Sequence, residues 1–284
     1  MLSRVPPVWL VVVGIASVQV GAAIAKTVFD DADPLTLVWL RLATSAVVLG
    51  AVVRPSPAGR TRDDWRVAIA FGVVLGIMNW AIYESFARIP LGIAVTIEFL
   101  GPLGLAVVGS RRPRDLVWVA LAAIGVGLLG IERGDLDVAG VAFALLAAAA
   151  WSAYILLSAS TGRRWPGLDG LTVASVVATV MMAPFLAAFS GGGLEDPHVV
   201  VLGALVGLLS SVIPYSCEIT ALRTIRPSVF GILMSIEPAA AALAGMVIVG
   251  EVLSPVQWLA IACVIAASVG ATRSESRLST PVLD

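Results

Sequence analysis

Histidine occurs once in this chain, at His198 beside Pro197, and cysteine twice, at Cys217 and Cys263 inside apolar runs. No Cys, His or carboxylate set has metal-ligand or redox spacing, so no metal centre or disulfide is expected. The two thiols read as free and buried, and His198 as a solvated loop residue. A GxxxxGK[ST] phosphate loop is missing, which removes ATP hydrolysis as an energy source. HExxH is missing too, and no aspartate falls in the interior of an apolar run, so the zinc, Ser–His and Asp–Asp routes to intramembrane proteolysis lack their residues. No filter-like repeat of polar residues marks a channel. Charge is scarce: 13% of the 284 residues are charged, against about a quarter in a soluble domain. The net charge of −1 offers no basic field to nucleic acid. No cofactor is expected.

What the chain has is apolar length. It is 59% apolar with a mean hydropathy of +0.98, the composition of an integral membrane protein. A bilayer core about 30 Å thick needs roughly 20 helical residues per crossing. Runs of that kind lie at 8–29, 34–53, 65–87, 91–110, 115–131, 137–159, 168–190, 198–222, 227–250 and 255–272. None alternates with period two, which argues against a membrane β-barrel. The first run, although preceded by Arg4 and carrying "AIA", reads as a span: it is long for a signal-peptide core, and its removal would leave an unbalanced bundle. Basic residues set the orientation. With the N-terminus inside, fourteen arginines fall in cytoplasmic segments and only Arg88 and Arg133 in outer loops. Both termini are therefore expected in the cytoplasm, with 273–284 a disordered polar tail. Trp9, Trp65, Trp165 and Trp258 read as interface anchors.

The chain repeats itself. "ARIPLGIAVTIEFLGP" (87–102) resembles "LRTIRPSVFGILMSIEP" (222–238), with Gly92 and Glu98 matching Gly231 and Glu237 at one offset. Five spans per half force opposite orientations. The expected fold is all-α and integral to the membrane: ten transmembrane helices in two inverted five-helix repeats, 1–133 and 134–272. Such carriers place their site near the midplane, between the repeats.

Beyond two residues from a span end, six acidic or basic residues fall inside spans: Lys26, Arg41, Glu84, Glu98, Glu218 and Glu237. Each costs about 2.5–3.5 kcal/mol at a span centre on insertion scales, so each faces the bundle interior, a partner or water. Glu98 and Glu237 lie deepest. Pro102 denies the carbonyl of Glu98 its i+4 donor, and Pro238 does the same to Met234. Acids beside freed carbonyls suit a cation, an ammonium group or a proton carrier; the competing reading is helix locking through hydrogen bonds. Desolvation favours a protonated carboxyl and a bound cation the charged one, which is the chemistry of proton exchange. Glu84 either pairs with Arg88 four residues on or joins the site. Glu218 follows Pro214, Tyr215 and Ser216, and either serves the site or snorkels. Lys26 either snorkels to Asp30, Asp31 and Asp33 or, like Arg41, holds a substrate carboxylate. Gln19, Asn79, Trp80 and Tyr83 add a polar stripe. Small residues, as in "AAAALAG" (239–245), allow close helix approach.

The ten-span pattern with "EP" in span nine resembles the EamA branch of the drug/metabolite transporter superfamily. Within it, "ASVQVGAAIAKTVF" (16–29), "WLRLATSAVVLG" (39–50), "PLGIAVTIEFLGPL" (90–103), "SRRPRDLVWV" (110–119), "PYSCEITAL" (214–222) and "FGILMSIEPAAAALAGMVIVGE" (230–251) are similar to the threonine/homoserine exporters of bacterial inner membranes. The resemblance spans nearly the whole chain; Cys217, where an apolar residue is expected, departs from it. It implies export of small neutral amino acids across the inner membrane, driven by proton exchange, so the partners are a small amino acid, protons and the lipid bilayer. It carries over Gln19, Lys26, Arg41, Glu98, Glu218 and Glu237 as pattern positions without separate roles. Another metabolite, amino acid or drug-like cation on the same carrier is the alternative, and a membrane enzyme a distant one.

Overall fold

A computed structural model describes residues 6–56, 58–110, 116–132, 137–189, 192–222 and 227–276. The arginines at 4, 111, 112, 114, 133, 223, 226 and 277, most of the "SRRPRD" turn and the tail from 277 lie outside the described residues. Everything described is helix, turn or loop. Eight helices are long and apolar enough to cross a membrane, and two shorter apolar segments, Leu91–Leu105 and Leu116–Leu128, make up the ten expected from sequence.

Seven of the ten are single helices: α1 (Pro7–Thr27), α2 (Pro34–Val53), α3 (Arg62–Phe86), α6 (Leu116–Glu132), α7 (Val138–Arg164), α8 (Asp169–Phe189) and α13 (Pro255–Ser276). Their starts follow local chemistry. The Asp33 carboxylate accepts from Thr36 N–H at 3.1 Å, Asp137 accepts from Ala139 and Gly140 N–H, and Thr61 and Asp64 cap each other reciprocally, filling orphan donors of the first turn.

The other three segments are interrupted at the marked prolines. The fourth splits at Phe99 into α4 (Leu91–Glu98) and α5 (Leu100–Ser110), with Pro102 in the first turn of the second piece. The eighth runs as α9 (Pro197–Gly207), a π-helical turn (Leu208–Val212) and α10 (Ile213–Leu222) containing Pro214. The ninth divides at Ser235 and Ile236 into α11 (Pro227–Met234) and α12 (Glu237–Ala244), and ends in a second π-helical turn (Gly245–Val249). Pro238 sits in the first turn of α12, where its missing N–H is tolerated.

The most extensive interfaces join the first half of the chain to the second. α3 packs on α7 and α8, α2 on α8 and α9, α1 on α10 and α12, α4 on α12 and α7, and α6 on α13. Glycine makes one of these crossings possible. A Cβ on Gly92 of α4 would stand 2.7 Å from both Cα and Cβ of Ala242 on α12, so the two broken spans touch backbone to backbone. Gly92→Val is therefore expected to force α4 and α12 apart and destabilise the bundle by about 1–3 kcal/mol. Gly104→Val, at a position with open space around it, serves as control; thermal unfolding in detergent compares them.

Several sequence expectations change. His198 lies in the first turn of α9, with its N–H on the Asp196 carboxylate at 2.8 Å; it is exposed as expected, but helical. Residues 273–276 continue α13 and are not tail. Trp165 is no interface anchor: it is 2% exposed, packed edge-on against Trp65 at 5.3 Å and under the Arg60 guanidinium at 4.7 Å. Both thiols are free; Cys217 is buried and Cys263 half-buried.

Candidate functional site

The broken segments meet around a cavity of about 840 Å3 that reaches into both halves of the chain. Gln19 (α1), Arg41 (α2), Asn79 (α3), Glu98 and Pro102 (α4–α5), Pro214, Tyr215 and Glu218 (α10) and Glu237 (α12) all line it. Nine of the positions singled out in the sequence thus converge from six of the ten apolar segments.

Arg41 is 7% exposed and held by the π-helical turn. Its Nη2 donates to the Ser210 carbonyl at 2.9 Å and its Nε to Ser211 Oγ at 3.1 Å. The reason lies four residues on. Pro214 has no N–H, so the Ser210 carbonyl has no i+4 donor within its helix, and the guanidinium takes it. The widened turn also offers the Leu209 carbonyl to Ser17 Oγ at 2.6 Å. Such π turns recur where a helix is bent to serve a site. Below the guanidinium lies the Tyr83 ring, 5.5 Å from its centre to the Arg41 carbon, within cation–π range. Tyr83 is fully buried, its hydroxyl has no partner among the described residues, and it supports Arg41 without lining the cavity. No carboxylate pairs with Arg41 among the described residues.

Three carboxyls face the same space. Glu237 is 7% exposed and begins α12; Glu98 ends α4. Glu218 stands on α10, three residues after Tyr215, and lines the cavity with Tyr215 and Tyr154. None of the three pairs with a cation among the described residues. Against one guanidinium this leaves acid in excess, which protons or a bound ammonium group must balance, since unpaired charge is costly away from water.

Two groups of candidates lie elsewhere. Glu84 forms the i,i+4 ion pair with Arg88 and accepts from Trp80 Nε1 at 3.2 Å, while Trp80 packs on Phe143 at 5.3 Å; neither Glu84 nor Trp80 lines the cavity. Lys26 does not reach for Asp30. Its Nζ meets Glu251 Oε1 at 2.7 Å and donates to the Ile89 carbonyl at 2.7 Å. Glu251 also accepts from Leu91 N–H, at 3.1 and 2.9 Å to its two oxygens. This cluster ties α1, the start of α4 and the α12–α13 connection together. It closes the acid-bearing end of the bundle, where the cavity stops at Ala22, Phe86 and Val95. The lining runs the other way to Trp165, Gly167 and Leu168 between α7 and α8 and to Thr272 on α13, so the cavity opens toward the arginine-bearing end.

Sequence reasoning did not find the anchors Ser210 and Ser211, the latch partner Glu251 or the aromatic wall. That wall is Trp151, Tyr154, Ile155 and Ser158 on α7, a spacing of one helix face, with Phe99 edge-on against Trp151 at 5.1 Å and Phe71 tilted on Tyr154 at 5.0 Å. The i, i+3, i+4, i+7 spacing was the available signal for α7, and the carbonyl four residues before Pro214 the signal for Ser210. Glu251 offered none beyond its charge at a span's end.

Residues 138–273 match the EamA-like transporter family. The chain is 40% identical to the threonine/homoserine exporter RhtA of Escherichia coli (strain K12) over 97% of its length and 96% of that protein. It is 38% identical to the threonine/homoserine exporter RhtA of Salmonella typhimurium (strain LT2) over 95% of its length and 94% of the relative. A protein of known crystal structure superposes with a TM-score of 0.66 at 17% identity, over 95% of this chain and 99% of that one, and so shares the fold.

Proposed function

Because the chain belongs to the EamA-like transporter family, a family of carriers and not of enzymes, we propose that it exports small neutral amino acids of the threonine and homoserine kind by alternating access, coupled to protons. The observation that carries this reading is the cavity itself: one buried, anchored guanidinium faces three carboxyls that pair with no cation among the described residues. A zwitterion fits that arrangement, its carboxylate on Arg41 and its ammonium toward Glu237 or Glu98 and the carbonyls freed by Pro238 and Pro102. Protonation of a glutamate from outside releases the ammonium and resets the carrier.

The two halves, 1–133 and 134–272, act as inverted repeats in this reading. The interface pattern supports it. Exchanging spans one to five with six to ten turns α1 on α10 into α7 on α3, and α5 on α7 into α12 on α1, and each exchanged pair is also packed. The excess of arginine at one end supports a bacterial inner-membrane orientation with both termini in the cytoplasm. The cavity then faces the cytoplasm, and the Lys26–Glu251 latch shuts the outside.

Export requires that latch to part. Its side chains are 16% and 11% exposed, and removing one member of such a pair weakens the closed end by about 2–3 kcal/mol, less than a fully buried pair because water reaches it. Lys26→Met is expected to raise labelling of a cysteine placed at Ala22 by an impermeant maleimide added from outside, at least tenfold. Unchanged labelling contradicts the latch.

The direct test of the function is efflux of labelled threonine and homoserine from proteoliposomes holding the full chain, with and without a pH gradient. Saturable efflux that the gradient accelerates supports the proposal. Efflux indifferent to the gradient removes the proton, and no efflux of either amino acid removes the cargo.

A further inference from the structure

Gln19 carries a feature that the carboxylate and ammonium contacts leave unused. It sits in the middle of α1, 5% exposed, on the cavity wall. Its Oε1 is sealed from solvent and meets no donor among the described residues. A buried amide with one end unpaired is costly, about 1–3 kcal/mol, and the surrounding α1 sequence is otherwise small or apolar. The neighbours place it close to Arg41. Ser17 Oγ donates to the Leu209 carbonyl at 2.6 Å, and Ser210 Oγ donates to the Val18 carbonyl at 3.5 Å. Gly21 packs directly on Ser210, leaving no room for a Cβ. This part of α1 therefore rests on the same π-helical turn that anchors the guanidinium. Asn79, 2% exposed and on the same cavity wall, already places one of its two Nδ2 hydrogens on the Leu75 carbonyl at 2.8 Å.

We propose that Gln19 reads the side-chain hydroxyl of the cargo and selects hydroxy amino acids against their analogues that lack it. The proposal rests on the amino-acid export reading and adds the specificity to it. A hydroxyl both donates and accepts, as does an amide, and rotation of the amide brings either end to the ligand. With the carboxylate on Arg41, the proposal sets a hydroxyl on the third or fourth carbon against the amide. An analogue without the hydroxyl leaves the amide unpaired, and polar sites reject such analogues far more strongly than apolar pockets reject a missing methylene.

One compound serves as probe for both cargoes, because removing the hydroxyl from either threonine or homoserine gives 2-aminobutyrate. In proteoliposomes with the full chain, threonine and homoserine are expected to compete with labelled threonine at concentrations roughly tenfold or more below those 2-aminobutyrate needs. In Gln19→Met, threonine and homoserine weaken to the level of 2-aminobutyrate, while 2-aminobutyrate holds or improves; a purely structural role weakens all three together. In Gln19→Asn, the shorter amide keeps homoserine, with its further-reaching hydroxyl, better than threonine, which guards against a Met variant that fails to assemble. Three results overturn the proposal: no wild-type preference over 2-aminobutyrate, equal loss of all three in Gln19→Met, or unaltered ratios in both variants. Transport of none of the three by the wild type overturns the export reading itself.

Discussion

Replacing Arg41 with glutamine is expected to lower threonine transport efficiency by roughly a hundredfold, mostly as a rise in the half-saturating concentration. The guanidinium is buried, pre-positioned by Ser210 and Ser211, and meets no protein carboxylate among the described residues, so the charge it offers is available to a ligand. Charge-assisted hydrogen bonds in a desolvated site amount to about 2–3 kcal/mol. Lysine is expected not to restore function, since a point charge reproduces neither the fork to the Ser210 carbonyl and Ser211 Oγ nor the stacking on Tyr83. Ser211→Ala removes one anchor and leaves the charge, so its effect is intermediate. Threoninol, which lacks the carboxylate, separates binding from packing. It competes weakly with threonine on the wild type and is indifferent to Arg41→Gln if the cation binds carboxylate. If threoninol and threonine lose equally, Arg41 holds the helices and not the ligand.

The second large effect concerns the acids. Glu237→Gln and Glu98→Gln keep shape and hydrogen-bonding capacity and remove the negative charge. In the proposed mechanism the carboxylate form attracts the ammonium and the protonated form releases it, so acidifying the outer medium is expected to speed wild-type export. A glutamine at the coupling position holds the carrier in the neutral form, flattens that response and reduces transport by roughly tenfold to a hundredfold. The double variant loses little more than the worse single one, because both acids face one ligand. Wild-type rates and an intact pH response in both single variants exclude these acids from the mechanism and leave Glu218 as the remaining cavity carboxyl.

The sequence disclosed positions where physical chemistry penalises a residue locally. A proline or a carboxyl in an apolar run is anomalous on its own, so Pro102, Pro214, Pro238, Arg41, Glu98, Glu218 and Glu237 could be identified without coordinates, and all but Pro238 line the cavity. Residues whose role depends on a distant partner could not. Glu251 reads as a solvated loop acid until Lys26 and the Leu91 N–H arrive from the other half. Trp165 reads as an interface tryptophan until Arg60 and Trp65 cover it. Glu84 and Trp80 share the helical stripe that includes Asn79, but that stripe turns toward Arg88 and Phe143 at the C-terminal end of α3. Helical periodicity gives a face; which neighbour fills it is set by packing between the halves.

The central claim is that one cavity, organised by Arg41 and the acids opposite, carries an amino acid across the membrane. Counterflow of labelled threonine in proteoliposomes tests it most directly. With saturating unlabelled threonine inside, the wild type should accumulate label transiently above equilibrium, homoserine should abolish the overshoot, and Arg41→Gln should lack it. Label that rises monotonically to equilibrium, or an overshoot that Arg41→Gln leaves intact, contradicts the account.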